Sequence, residues 1–211
     1  MNDLSVVMTV YDPYRHLVPG SLEALKRHWP LCPPPLVAHG DSRLRVRMKN
    51  ALESLRSPYA IILHEDYRLN QDVKQDLLDT CLVLMRNDPA VLSVSLTYEP
   101  VAKTPYKDTP FQELPVNLTH WPYAIGFQAR VWRVAPLLEI LKGIPVSTPH
   151  DRFEPECTKF FMQNMHPGWK VVTYPIPDPP KIDPYVDRMD KSEWIVGYLN
   201  VFHSGQKEHA C

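Results

Sequence analysis

The sequence predicts a single α/β domain built on a mainly parallel central sheet with helices on both faces. Three observations carry this expectation. Through about the first hundred residues, short continuous apolar runs alternate with segments whose apolar residues recur every three to four positions, which is the pattern of buried strands separated by amphipathic helices. The length, 211 residues, fits one large domain that buries roughly 70% of the surface its unfolded chain exposes, so no staples are needed. No internal repeat and no interdomain linker interrupts it.

Taken in order, Leu4 to Val10 is an apolar, β-branched strand that Tyr11-Asp12-Pro13 ends with turn chemistry. Ser21 is placed to cap a short helix with Leu22, Leu25 and Trp29 on one side. The stiff Pro33-Pro34-Pro35 connector leads to a short strand, Leu36-Val37-Ala38. Ser42 opens a helix with Leu44, Met48, Ala51, Leu52 and Leu55 at helical spacing, and Ser57-Pro58 stops it before the strand Tyr59 to Leu63. Asn70 caps the clearest helix, with Val73, Leu77, Cys81, Leu84 and Met85 inward, and Val91 to Leu96 is the next strand. Residues 98–120 read as a long polar loop, Val131 to Leu141 as a buried helix, and Pro175 to Pro184 as an irregular wrap.

Composition excludes several functions. A net charge of -1 gives no basic footprint for a nucleic-acid backbone or an anionic lipid surface. No run approaches the ~18 apolar residues of a membrane span. The glycines stand at 20, 40, 126, 143, 168, 197 and 205, so no pair forms G-x-G. That removes the Walker loop, the dinucleotide fingerprint and any glycine-rich phosphate cradle. A phosphate-binding enzyme made from this chain has to use a metal or a few placed cations. The four cysteines, at 32, 81, 157 and 211, form no C-x-x-C pair, and no secretory segment follows Met1. They read as reduced thiols of a cytoplasmic protein, in which the sequon Asn117-Leu118-Thr119 is silent.

Ligands of such sheets sit outside the carboxyl ends of the strands. Tyr11-Asp12 and His64-Glu65-Asp66 both fall there. Carboxylates just past a buried strand are costly unless paired, solvated or bound to a cation. A divalent ion on Asp66 is one solution; an acidic turn that meets water is the plain alternative.

The run Ser5-Val6-Val7-Met8-Thr9-Val10-Tyr11-Asp12, then Arg47-Met48-Lys49-Asn50, then Tyr59-Ala60-Ile61-Ile62-Leu63-His64-Glu65-Asp66, resembles the nucleotide-binding half of GT-A-fold glycosyltransferases, especially the family-2-like group. The resemblance covers about residues 1–100, leaving 101–211 as an acceptor and catalytic half. It implies a GT-A-like fold, a UDP-sugar donor, a glycan or glycoprotein acceptor, and Mn²⁺ or Mg²⁺ at an Asp-x-Asp-like turn. The implied nucleotide-sugar contacts are Thr9, Tyr11, Asp12, Arg47, Lys49, Asn50 and Glu65. The implied metal ligand is Asp66, with the part of His64 left open, because a histidine stands where the family has its first aspartate. Lys49 likewise stands where an arginine is usual.

Val201-Phe202-His203-Ser204-Gly205-Gln206-Lys207 resembles a shortened His-x-x-Gly-x-x-Lys element of some retaining GT-A enzymes. It implies His203 on the metal and Lys207 on the diphosphate; a plain polar tail is the alternative. His150-Asp151-Arg152-Phe153-Glu154-Pro155-Glu156 resembles the acidic motif that supplies the general base in inverting relatives, which leaves Asp151, Glu154 and Glu156 as candidates. An ordinary acidic helix start explains the same residues. Among the aromatics around Gly126, Phe127 and Trp132 read as core and Trp121 as the acceptor contact. Two other functions fit parts of the pattern: a catalytically degenerate glycan- or nucleotide-sugar-binding scaffold, and a nucleotidyltransferase, although the turn after the first strand lacks the glycines that class uses. The chain is also compatible with being one domain of a longer polypeptide.

Overall fold

The computed structural model describes residues 3–40, 43–69, 72–96, 104–116, 122–127, 129–149, 152–165, 167–173 and 198–200. The first apolar run forms β1 (Leu4–Thr9), followed by a 3₁₀ segment (Asp12–Leu17) and α1 (Val18–His28). Next come β2 (Leu36–Ala38), α2 (Leu44–Glu53), β3 (Tyr59–His64), β4 (Tyr67–Leu69), α3 (Gln75–Asn87) and β5 (Val91–Ser95). Two short strands, β6 (Thr104–Pro105) and β7 (Gln112–Glu113), precede β8 (Arg130–Arg133), α4 (Val134–Gly143), α5 (Phe153–Asn164), β9 (Lys170–Thr173) and β10 (Tyr198–Asn200).

Eight strands form one mixed sheet in the order β2-β1-β3-β8-β5-β9-β7-β6, and β10 pairs with β4 separately. β1, β2 and β3 are parallel, as are β5 and β9; β8 runs against both its neighbours, and β7 against β9 and β6. Six of the eight strands therefore point one way, and the domain is α/β as the sequence predicts.

Strand alternation divides the core between the two faces. Met8, Ile61 and Leu63 pack with Leu25 of α1, Trp29 just past its end, and Cys81 and Met85 of α3. Val7, Ala60 and Ile62 face the other way, onto Met48 and Leu52 of α2, Leu137 and Ile140 of α4, and Cys157 and Phe161 of α5. Among the described residues no helix is long and apolar enough to cross a membrane. The described cysteines, Cys32, Cys81 and Cys157, are free thiols; burial pushes Cys32 and Cys81 up to about 12 and raises Cys157 as well, so none is a ready nucleophile.

Several expectations need correction. Val131 and Trp132 belong to β8, and the helix begins only at Val134. A continuous apolar run does not distinguish a buried strand from a buried helix, and here the first three residues of the run belong to a strand clamped between β3 and β5. The polar stretch read as loop contains β6 and β7. Ser21 is not a cap: α1 starts at Val18 with Pro19 in its first turn, and Ser21 lies buried on its inner face between Val18 and Leu25. α3 starts at Gln75, with Lys74 in the cap position, because the chain first pairs as β4; Asn70 lies outside the described residues. Ser42, Asn117 and 175–184 lie outside them too.

Candidate functional site

Register aligns the strand ends. Thr9 pairs with Ala38 of β2 on one side and with His64 of β3 on the other, so Tyr11-Asp12, His39-Gly40 and Glu65-Asp66 leave the sheet side by side. Apolar interiors for β1 and β3 end at the first residues that cannot be buried cheaply, which is why the polar groups collect here.

Glu65 turns inward and is 5% exposed. Its Oε1 accepts the Tyr11 backbone N–H at 3.1 Å, and its backbone oxygen accepts the Ser21 hydroxyl at 2.6 Å. Burial raises its carboxyl pKa and the neighbouring Asp66 charge adds to that, while the N–H groups of Glu65 and Tyr11 and the charge of Arg47 oppose it. Arg47, 7% exposed, reaches in from α2: its Nη1 donates to Gly40 O at 3.2 Å and its guanidinium lies 5.9 Å from the Tyr11 ring. Desolvation lowers its pKa, and Glu65, Asp12 and Tyr11 pull it back. Tyr11 is half exposed, edge-on to Tyr14 at 5.5 Å.

His64 Nδ1 lies 2.9 Å from Thr9 Oγ1, which also lies 3.3 Å from Leu63 O. The tautomer that satisfies both contacts has the Thr9 hydroxyl donating to Leu63 O and His64 Nδ1–H donating to Thr9, which leaves the lone pair on Nε2. Asp66 is half-buried just beyond. Of the three α2 residues singled out in the sequence, the structure ties Arg47 to the strand-end loops. Lys49 pairs with Glu53 at 2.8 Å, near Lys142 of α4, and Asn50 is exposed. Residues 47 and 49 point apart because two helical steps turn through about 200°.

β8 runs against β3, so the chain entering β8 comes from the same sheet end. There Phe127 N–H donates to Glu154 Oε1 at 2.5 Å, Ile125 N–H donates to Thr158 Oγ1 at 3.0 Å, and Arg130 Nη1 donates to Ala124 O. Phe127 stacks between Phe153 (5.2 Å) and Trp132 (5.5 Å), which seats the start of α5 against this segment. Phe127 and Trp132 are core residues, as read from the sequence, and Tyr123 is 45% exposed. Glu156 faces outward, 3.7 Å from Lys159. Asp151, Trp121, His203 and Lys207 lie outside the described residues.

Among the described residues, no group of three or more His, Cys, Asp or Glu side chains is disposed to hold a metal ion. His64 closes β3 and Asp66 stands two residues on; an ion held at this turn would have to draw most of its ligands from substrate phosphate and water. Sequence reasoning missed the parts of Ser21, the Phe127 backbone N–H and Arg130. Ser21 had a signal, since it shares helical spacing with Val18 and Leu25 on the apolar face.

No family model and no curated protein matches the chain. Among solved structures it is similar to CMP:2-keto-3-deoxy-manno-octonic acid synthetase complexed with CTP (11% identity, 99% of this chain and 97% of that one, TM-score 0.47). It is also similar to S. aureus TarS 1-349 (13% identity, 81% and 57%, TM-score 0.48) and to the bifunctional IspDF from Campylobacter jejuni (14% identity, 72% and 46%, TM-score 0.39). The chain thus spans about half the length of the last two. Likenesses this distant assign neither a family nor an activity.

Proposed function

We propose that this chain is a metal-dependent glycosyltransferase that takes a sugar from a nucleotide diphosphate donor, UDP-hexose in the first instance. The observation that carries the reading is the convergence of Thr9, Tyr11, Asp12, Arg47, His64 and Asp66 at the aligned ends of β1, β2 and β3. The exposed Tyr11 ring and the Asp12 carboxylate offer a stacking face and a hydrogen-bond acceptor for a nucleoside. A Mn²⁺ or Mg²⁺ ion would be held by Asp66 with His64 Nε2 beside it, and would supply charge neutralisation at the diphosphate leaving group. His203 and Lys207 are candidate additions to that shell. Arg47, tethered to Gly40 and Tyr11, keeps a positive charge beside the cleft.

The acceptor side is the segment 122–127 with α5 behind it. Of the three candidate acids, Glu154 has one oxygen on Phe127 N–H and is thereby tied to this segment, so it is the favoured general base. Asp151 is the alternative. Trp121 remains the candidate acceptor contact.

Calorimetry of UDP with and without Mn²⁺, on wild type and Asp66→Ala, tests the donor site. Metal-dependent binding that the substitution abolishes supports the reading, and no affinity for UDP, GDP or dTDP sugars in the presence of metal sinks it. Tight metal-dependent binding without sugar transfer to any acceptor would make the chain a nucleotide-sugar-binding scaffold instead.

A further inference from the structure

We propose that Glu65 is a positioning residue: an internal strut that fixes the turn after β1, and with it Tyr11 and Asp12, rather than a side chain that meets nucleotide or metal. The backbone bond from Val10 N–H to Ala38 O, 3.0 Å long, continues the pairing of β1 with β2 one residue past the strand. Tyr11 carries the next N–H, and it points to Glu65 Oε1 at 3.1 Å. A charged acceptor makes this bond stronger than a neutral one would.

Glu65 is itself braced, because the Ser21 hydroxyl of α1 holds its backbone oxygen at 2.6 Å. α1, the end of β3 and the turn after β1 are thereby joined through one residue. Glu65 is only 5% exposed as a residue, and Arg47 supplies the compensating charge from the protein side. A group that directly ligates diphosphate or metal needs lone pairs facing the cleft. Here one oxygen is committed to the backbone and the side chain lies under the Tyr11 turn. Asp66, the next residue, is the half-buried carboxylate of the pair.

The affinity part of this proposal rests on the nucleotide-sugar reading, whereas the strut itself does not. The experiment compares the full chain with E65Q and E65A, reading UDP affinity in Mn²⁺ by calorimetry and exchange of the Tyr11 amide by NMR. Glutamine keeps an acceptor oxygen in place and loses the charge; alanine loses both. E65Q is expected within about threefold of wild type in affinity, with the Tyr11 amide protected. E65A is expected to bind at least about tenfold more weakly, with Tyr11 exchanging at least about tenfold faster. Should E65A not fold, E65D, whose carboxylate stops one methylene short of Tyr11, replaces it under the same criteria. If E65Q loses affinity as badly as E65A while Tyr11 stays protected, the charge meets the ligand and the proposal is wrong. Unchanged Tyr11 exchange in E65A also overturns it. Wild type without affinity for UDP, GDP or dTDP sugars removes the nucleotide-sugar reading, and the Tyr11 exchange then decides the strut alone.

Discussion

The acidic turn after β3 and the acidic first turn of α5 each direct one glutamate onto a backbone N–H of a neighbouring strand-end loop. Glu65 takes Tyr11 at 3.1 Å and Glu154 takes Phe127 at 2.5 Å. In each cluster a second acid, Asp66 or Glu156, follows within two residues. The means of separation differ. In the turn, Glu65 is pulled under the β1 loop while Asp66, the next residue, is only half-buried. In the helix, residues 154 and 156 are set about 200° apart, so Glu154 joins Thr158 against the 122–127 segment and Glu156 meets Lys159 at the surface. Acids close in sequence therefore need not share one site, and chain geometry decides which of them turns toward a strand-end loop.

The comparison can be broken most sharply at Glu154. Glu154→Gln keeps the acceptor for Phe127 but removes the base. Under the proposed reading the transfer rate falls about 10²- to 10⁴-fold with little change in UDP affinity. Steady-state kinetics showing an undiminished rate would move the base to Asp151.

Glu154→Ala removes the acceptor as well and leaves the Phe127 N–H unpaired. Urea titration should show a loss of about 1–3 kcal/mol, most of it recovered in Glu154→Gln. Gly143→Ala attacks the seating of the same helix from behind. A Cβ there would lie 1.9 Å from the Phe160 ring, so the ring has to move, and a cost of about 1–3 kcal/mol is expected by denaturation.

A smaller effect distinguishes Glu65. Burial raises its folded-state pKa above the unfolded value, so the folded chain holds the extra proton between the two. Its contribution to stability therefore falls as pH rises from about 4.3 through the folded-state pKa. The difference in stability between E65Q and wild type, followed with pH, should grow through that window in favour of the variant; a flat difference refutes it. The smallest change is expected for Glu156→Ala, within about 0.5 kcal/mol by thermal melting, since its ion pair with Lys159 is solvated on both sides.

Much of the architecture is legible in the sequence. The apolar runs at β1, β3 and β5 and the helical periodicity of α1, α2 and α3 announce themselves, because burial on one face or both leaves a pattern in the chain. β8 does not, since four residues joined directly to an apolar helix carry no period of their own. The strand-end acids were legible as a group: hydrophobic strands followed by Tyr11-Asp12 and His64-Glu65-Asp66 mark the polar end of the sheet. Their individual parts were not. Arg47 and Lys49 look equivalent along the chain, yet one spans the gap between Gly40 and Tyr11 and the other pairs with Glu53.

By itself, then, the sequence determined the α/β class, the lack of any glycine-rich phosphate loop, and the two places where acids gather, since each follows from local composition and period. Only the tertiary structure decided that β8 enters antiparallel between β3 and β5, that Ser21 braces a loop instead of capping a helix, and that Glu65 and Glu154 face inward. Those outcomes depend on which backbone N–H lies opposite a side chain across the sheet end. That is fixed by strand register between segments far apart in the chain, and no local pattern encodes it.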